Sequence, residues 1–466
     1  MKKFRFISML LAVAMLISLF AGCGVSSINS DTSTSAASAD TAAASTETTA
    51  PAKEKVTLNF WHSYPENETD QGYLQVVRMV KEWNEQYGSE IEVVALANQG
   101  ADKQLAAITA GEGPDVAQST WTNAAVWGSQ GAMEPLNSYI DADGTFEKDD
   151  FVKGAWEQGQ FRGKQYIVPF YMMTMLLFYN KDLLKEAGYE NGPTTNEELV
   201  EMAIKTTKYD AKDNITQLGF KPNNPWRDDC AWPIAFGAKW IDEKSYATFD
   251  TPEMIETYQW MADYNKLIGM DKMNKFQAGF GEGVNDPFLS GKLVMQFNGD
   301  WTFDGIKQFN PDMNYGVTFA PPPAARKDQL QGSGFISING WYMNSQSKHK
   351  DEAWKFLSFI SSKEQYIKSA QMEIPQLKPR LSALKAAQEN ANITPMQKEV
   401  AGMYAADKMR GFPTITYINT YLGEVYTQIT AACEDGTKTV EEACKAVQAK
   451  VKPFADAEAI GNALGK

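Results

Sequence analysis

Two histidines, His62 and His349, and four cysteines, Cys23, Cys230, Cys433 and Cys444, are the only imidazoles and thiols in 466 residues. A His-based triad or a multi-His metal site has almost no material here, and no Cys-x-x-Cys spacing exists to hold a structural zinc. The acidic run beginning at Asp141 resembles a calcium loop only superficially, because its sixth position is Phe146 where the sharp turn demands glycine. Neither a metal nor a cofactor is expected. What the chain has in quantity is 12 Trp and 19 Tyr, several set beside carboxylates, as in NPWRDDCAWP (224–233) and NGDW (298–301). Flat apolar rings next to fixed hydrogen-bonding groups suit a ligand that carries both C–H faces and polar edges.

These groups need a scaffold, and the sequence indicates one. VTLNFW (56–61) alternates like a strand. Tyr73, Val76, Val77, Val80, Trp83 and Tyr87 then recur at helical spacing up to Gly88. IEVVAL, a short helix KQLAAITA ended by Gly111, and DVAQST complete a β-α-β-α-β run, which implies a parallel sheet covered by helices. Ligands collect beyond the carboxyl ends of such strands, where Trp61-His62-Ser63 and Ser119-Thr120-Trp121 fall. Thr195 with Glu198, and Thr439 with Glu442, are spaced as capping boxes. The second opens a helix with an apolar stripe of Val440, Cys444, Val447 and Val451. Cys433 lies just across the Asp435-Gly436 turn, so its pairing with Cys444 is left open by spacing alone.

The start of the chain reads differently. Lys2, Lys3 and Arg5 precede an apolar stretch from Ile7 to Phe20, shorter than the ~20 residues of a spanning helix but suited to an export signal. Leu19-Phe20-Ala21-Gly22-Cys23 is similar to a bacterial lipobox, with Phe20 at the position where leucine is usual. That resemblance implies cleavage after residue 22 and diacylation of Cys23, which anchors a protein stably where one acyl chain is marginal. Residues 23–54 are Ser, Thr and Ala with scattered acids and no aromatics, too poor in apolar surface to order themselves. They read as a tether. Loss of residues 1–22 would take the net charge from −14 to −17, which argues against nucleic acid or an anionic lipid surface as a partner.

NFWHSYPE, TAGEGPDVAQST, GKQYIVPFYMMTMLLFYNKDLLKEAGY, FLSGKLVMQFNGDW, NYGVTFAPPP and SKHKDEAWKFLSFISS follow one another along residues 57–362. In that order they resemble the extracellular solute-binding proteins of carbohydrate ABC importers, the family that includes maltose-binding protein. The resemblance implies an α/β, type II periplasmic-binding-protein-like fold. Two hinged lobes would each carry a central sheet flanked by helices: an N-terminal lobe of 55–170 plus 333–373 and a C-terminal lobe of 171–332 plus 374–466. It further implies a carbohydrate ligand, an ABC permease as partner, a monomer, and a place on the outer face of a bacterial cell membrane.

For the site, the resemblance together with local chemistry nominates Trp61, Trp121, Trp226, Trp301 and Trp341 as stacking planes. His62, Tyr171, Asp228, Asp300, Arg410 and Tyr417 would supply polar contacts, with Asp229 and Asn298 as further rim groups. Against each stands a packing role. Trp121 and Trp341 divide evenly between cleft and core, Tyr171 at the hinge is as suited to packing, and Asp115 reads as a local cap. Trp83, Trp260 and Trp354 fall in helical stripes and belong to the core. Two other functions remain open at this level: a surface-anchored glycoside hydrolase, which needs two opposed carboxylates, and the same fold holding a polyamine or another non-sugar solute.

Overall fold

The computed structural model describes residues 54–68, 70–222, 231–372, 377–406 and 408–463. The expected leader, Cys23 and all but the last residue of the expected tether lie outside them, as do Trp226, Asp228 and Asp229. Thirteen strands occur among the described residues: β1 (Val56–Trp61), β2 (Ile91–Leu96), β3 (Val116–Thr120), β4 (Gln160–Phe161), β5 (Lys164–Gln165), β6 (Val168–Met173), β7 (Met175–Asn180), β8 (Lys208–Tyr209), β9 (Ile215–Lys221), β10 (Leu293–Gly299), β11 (Tyr315–Thr318), β12 (Gly334–Met343) and β13 (Met409–Gly411).

They form two central sheets and one small hairpin. The first sheet runs β13-β12-β3-β1-β2, with β6 also paired to β12; the second runs β11-β7-β10-β9-β8; β4 and β5 pair separately. As the β-α-β-α-β pattern requires, β1 is parallel to both β2 and β3, with Phe60 opposite Ala95 and Val116. β12 then runs antiparallel to β3, and β7 antiparallel to β10 and β11, so both sheets are mixed.

The helix Gln71–Tyr87 begins at Asp70, whose carboxylate accepts the Tyr73 backbone N–H and so satisfies one of the orphan donors of the first turn. Its buried face is centred on Gln75, Val76, Met79 and Trp83, whereas Val77 and Tyr87 are exposed. The buried stripe is narrower than the sequence suggested, although Tyr87 still meets Trp83 and Phe359 with part of its ring. Both expected caps exist. Thr439 and Glu442 form the reciprocal box, while Glu198 reaches past Thr195 to accept from the Thr194 N–H at 2.7 Å. Cys433 and Cys444 are both free thiols in the core, so no disulfide joins the last two helices. Cys433 donates to the Tyr258 carbonyl at 3.3 Å. Burial pushes the Cys444 thiol up to about 12.

The chain passes from the first sheet to the second at Thr174, between β6 and β7, and returns between β11 and β12. Two segments sit differently from the expected division. β6 stays in the first sheet as far as Met173, beyond residue 170. The segment after 376 is also held to the first sheet: Arg380 is buried and donates to Ser361 O, Glu147 O and the Asp150 carboxylate, and β13 pairs with Gly334–Ile336.

Candidate ligand-binding site

The last residues of β10 show how local sequence shapes a site. Asn298 Oδ1 accepts the Gly299 N–H at 2.9 Å, and the Trp301 ring folds back across Gly299. A Cβ at Gly299 would stand 2.1 Å from that ring, so only glycine lets the half-buried indole lie there. Between them, Asp300 turns its carboxylate toward the other sheet. Tyr171, on β6, donates to Asp300 Oδ1 at 3.3 Å, and Tyr404, from the helix Pro395–Ala405, donates to Oδ2. Burial raises Asp300 to about 7; the Tyr404 and Tyr171 hydrogen bonds work against that rise, and Asp304 nearby adds to it.

Thr174 lies beneath this cluster, fully buried. Its carbonyl accepts the Asp300 N–H at 3.2 Å, and its hydroxyl donates to Phe335 O at 2.5 Å. Both passages between the sheets are thus joined at one residue.

On the first sheet, β1 delivers Trp61 half-buried, with its indole N–H lacking a partner among the described residues. His62 is 1% exposed, packed among Phe60, Tyr64 and Tyr73, and burial lowers it to about 4, so at neutral pH it is an uncharged ring inside the protein. It does not reach the surface as a polar contact. The loop that follows is pinned by Gln118, which accepts from both the N–H and the hydroxyl of Ser63 at 2.9 and 2.7 Å. Tyr64 lies over Gly72 in the first turn of the next helix, where a Cβ would stand 2.2 Å from its ring.

Three other nominated residues are corrected by their surroundings. Trp341 is 0% exposed, wedged between Phe60 and Phe170 at centroid distances of 5.1 and 4.4 Å, because β12 lies inside the sheet between β3 and β6 and is buried along almost its whole length. Trp121 is 7% exposed and lies parallel to Phe412, which also meets Trp240, so in this arrangement it packs as part of an aromatic stack. Tyr417 is 4% exposed, stacked on Tyr421 with its hydroxyl donating to Ser245 O at 3.3 Å. Arg410 projects from edge strand β13, exposed, with its guanidinium donating to Met409 O. Asp115 is not a local cap but a long-range tie, accepting from the Asn59 N–H and the Ser347 hydroxyl.

The structure therefore brings together Tyr171, Asp300 and Trp301, and adds Tyr404 and Tyr64, whose phenol sits close enough to Tyr171 to raise it further. Sequence reading missed both. Tyr404 shares a buried stripe with Val400 and Ala401 and looks like ordinary core; Gln118, a lone amide among apolar strand residues, was the visible clue to an ordered loop beside it. Also missed was Lys378, fully buried with its ammonium 3.6 Å from the centre of the Phe170 ring.

A family model described as "Bacterial extracellular solute-binding protein" matches residues 67–367. The chain is 26% identical over 339 residues to a maltotriose-binding protein of Pyrococcus abyssi, a match that spans 67% of this chain and only 64% of that protein. Among solved structures, CpMnBP1 with mannobiose bound superposes with a TM-score of 0.70 at 26% identity, covering 85% of this chain and all of that one. The sugar-binding protein MalE of Xanthomonas citri superposes with a TM-score of 0.71 at 20% identity, over 86% and 98% of the two chains.

Proposed function

The chain belongs to the bacterial extracellular solute-binding protein family, and from that premise we propose that it captures an oligosaccharide between two closing lobes and hands it to an ABC permease. The observation that carries this reading is the pairing across the sheets: Trp301 and Asp300 end β10 of one sheet, and Tyr171 faces them from β6 of the other. Trp301 and Trp61 supply apolar planes for sugar faces. Arg410, with Trp226 and Asp228 in the segment 223–230, completes the set of candidate contacts.

A ligand touching both lobes binds the closed arrangement better and shifts the population toward it. In this reading the lobes comprise 55–170 with 333–373 and 171–332 with 374–466, with 377–411 also tied back to the first. Among the described residues no helix is long and apolar enough to cross a membrane. Attachment falls to Cys23: cleaved after residue 22 and diacylated, it holds a monomer on the outer face, and residues 24–54 let it range near its permease. Such a tether raises the effective concentration of each partner for the other. The protein performs no chemistry on its ligand.

The test is thermal unfolding with mannobiose, mannotriose, maltotriose and spermidine, followed by chromatography of the recovered compound. A ligand at 100 times its Kd stabilises by about 2.7 kcal/mol. At least one oligosaccharide should raise the melting temperature and be recovered intact. Shortened sugar would mean hydrolysis, and a response to spermidine alone would mean a different solute.

A further inference from the structure

Asp300 is held by three partners from three parts of the fold. Its backbone N–H ties β10 to Thr174 at the passage between the sheets, and its two carboxylate oxygens take hydroxyls from Tyr171 and Tyr404. Tyr171 comes from the first sheet, Asp300 follows β10 of the second, and Tyr404 comes from the helix Pro395–Ala405, late in the chain. The carboxylate therefore sits where relative movement of the sheets must make or break its contacts. A half-buried group with both oxygens already engaged is poorly placed to serve as a rim contact for a sugar.

We propose that Asp300 is a positioning residue, a hydrogen-bonded latch that holds the two lobes in the relation seen here and opens when its carboxylate takes up water. The proposal rests on the two-lobed hinge reading but not on the identity of the ligand. Its sign follows from linkage. In the arrangement seen, the carboxyl binds its proton more tightly than a hydrated aspartate does, since burial outweighs the two tyrosine hydroxyls. Any arrangement that hydrates Asp300 releases that proton more readily. Protonation thus favours the latched arrangement, and a rise in pH through neutrality favours separation. Among the described residues, the titratable groups facing it are Tyr171, Tyr404 and Asp304, with Tyr64 behind Tyr171; the three tyrosines keep their protons throughout this range. Asp304, itself raised by burial, opposes the charge on Asp300 and adds to the same trend.

Small-angle X-ray scattering of the ligand-free chain between pH 5.5 and 8.5 tests this without any sugar. The radius of gyration of the wild type should increase with pH, with a midpoint near neutrality. Asp300→Asn, which mimics the protonated acid and cannot ionise, should keep the smaller radius at every pH. Tyr404→Phe removes one of the two hydroxyls that hold the charged carboxylate in the latched arrangement, so its radius should exceed the wild type's above neutrality and its rise should come no later in pH. A flat wild-type curve, an Asp300→Asn curve that rises like the wild type, or a Tyr404→Phe rise that comes at higher pH than the wild type's would each overturn the latch. Should Asp300→Asn fail to fold, the direction of the Tyr404→Phe shift decides alone. Failure of every sugar in the thermal assay, by contrast, would leave these curves as they are.

Discussion

A methyl group added at Gly299 would meet the Trp301 ring at 2.1 Å, and the ring can give way only by leaving the position it holds across the strand end. Gly299→Ala should therefore cost about 1–3 kcal/mol of stability and abolish binding of any oligosaccharide that raises the wild-type melting point, read by titration calorimetry. His62 and Asp300 make a second test, because their perturbations oppose one another. His62 falls from 6.5 to about 4 in the folded chain. The unfolded chain then binds more protons between those values, and stability drops as the pH falls through them, by up to about 3 kcal/mol. Asp300 rises from 3.8 to about 7, so its contribution is complete below the lower value and lost as the pH climbs through the same range. Removing one unmasks the other: Asp300→Asn should lose melting temperature between pH 6.5 and 4.5 more steeply than the wild type. These environments were only partly legible. Asn-Gly-Asp-Trp announced a special turn, but nothing in the sequence said that Asp300 would meet two tyrosines more than a hundred positions away in either direction. Trp341 and Trp121 looked like candidate planes because a chain does not reveal which rings at or beyond its strands will be packed against others far along it.

Helices and strands were easier to read, since their signals are periodic and local. The β-α-β-α-β opening and the stripe of the helix Val440–Ala463 follow the sequence pattern, with Val440, Cys444, Val447 and Val451 all buried. The mixed second sheet was not legible, because pairing between β7, β10 and β9 joins segments far apart in the chain, and period-2 patterns do not name their partners. Two elements carry predictions of their own. The helix bearing Tyr404 opens with a full capping box at Thr394 and Gln397. Thr394→Ala should cost about 1 kcal/mol in denaturant unfolding. Arg380 fastens the segment before the helix Leu381–Glu389 to the first lobe, with its side chain 1% exposed and the Asp150 carboxylate at 3.2 Å. Arg380→Met would leave that acid and several carbonyls without their donor, and should lower the unfolding free energy by about 3 kcal/mol.

At the scale of the molecule, the family model and the superpositions agree with the two-sheet architecture, and the passages through Thr174 and Phe335 give the hinge a physical location. A hinge of few residues between two lobes permits large rotation of one against the other. The central claim is that a carbohydrate is enclosed between those lobes and leaves unaltered. Scattering at pH 6 and pH 8 with and without the oligosaccharide that most raises the melting temperature tests it directly, with the sugar recovered afterwards for mass analysis. The account predicts a smaller radius of gyration on sugar addition at pH 8, where the ligand-free lobes stand apart, and a sugar of unchanged mass. Saturated binding with no contraction at pH 8, or a sugar returned in fragments, would contradict it.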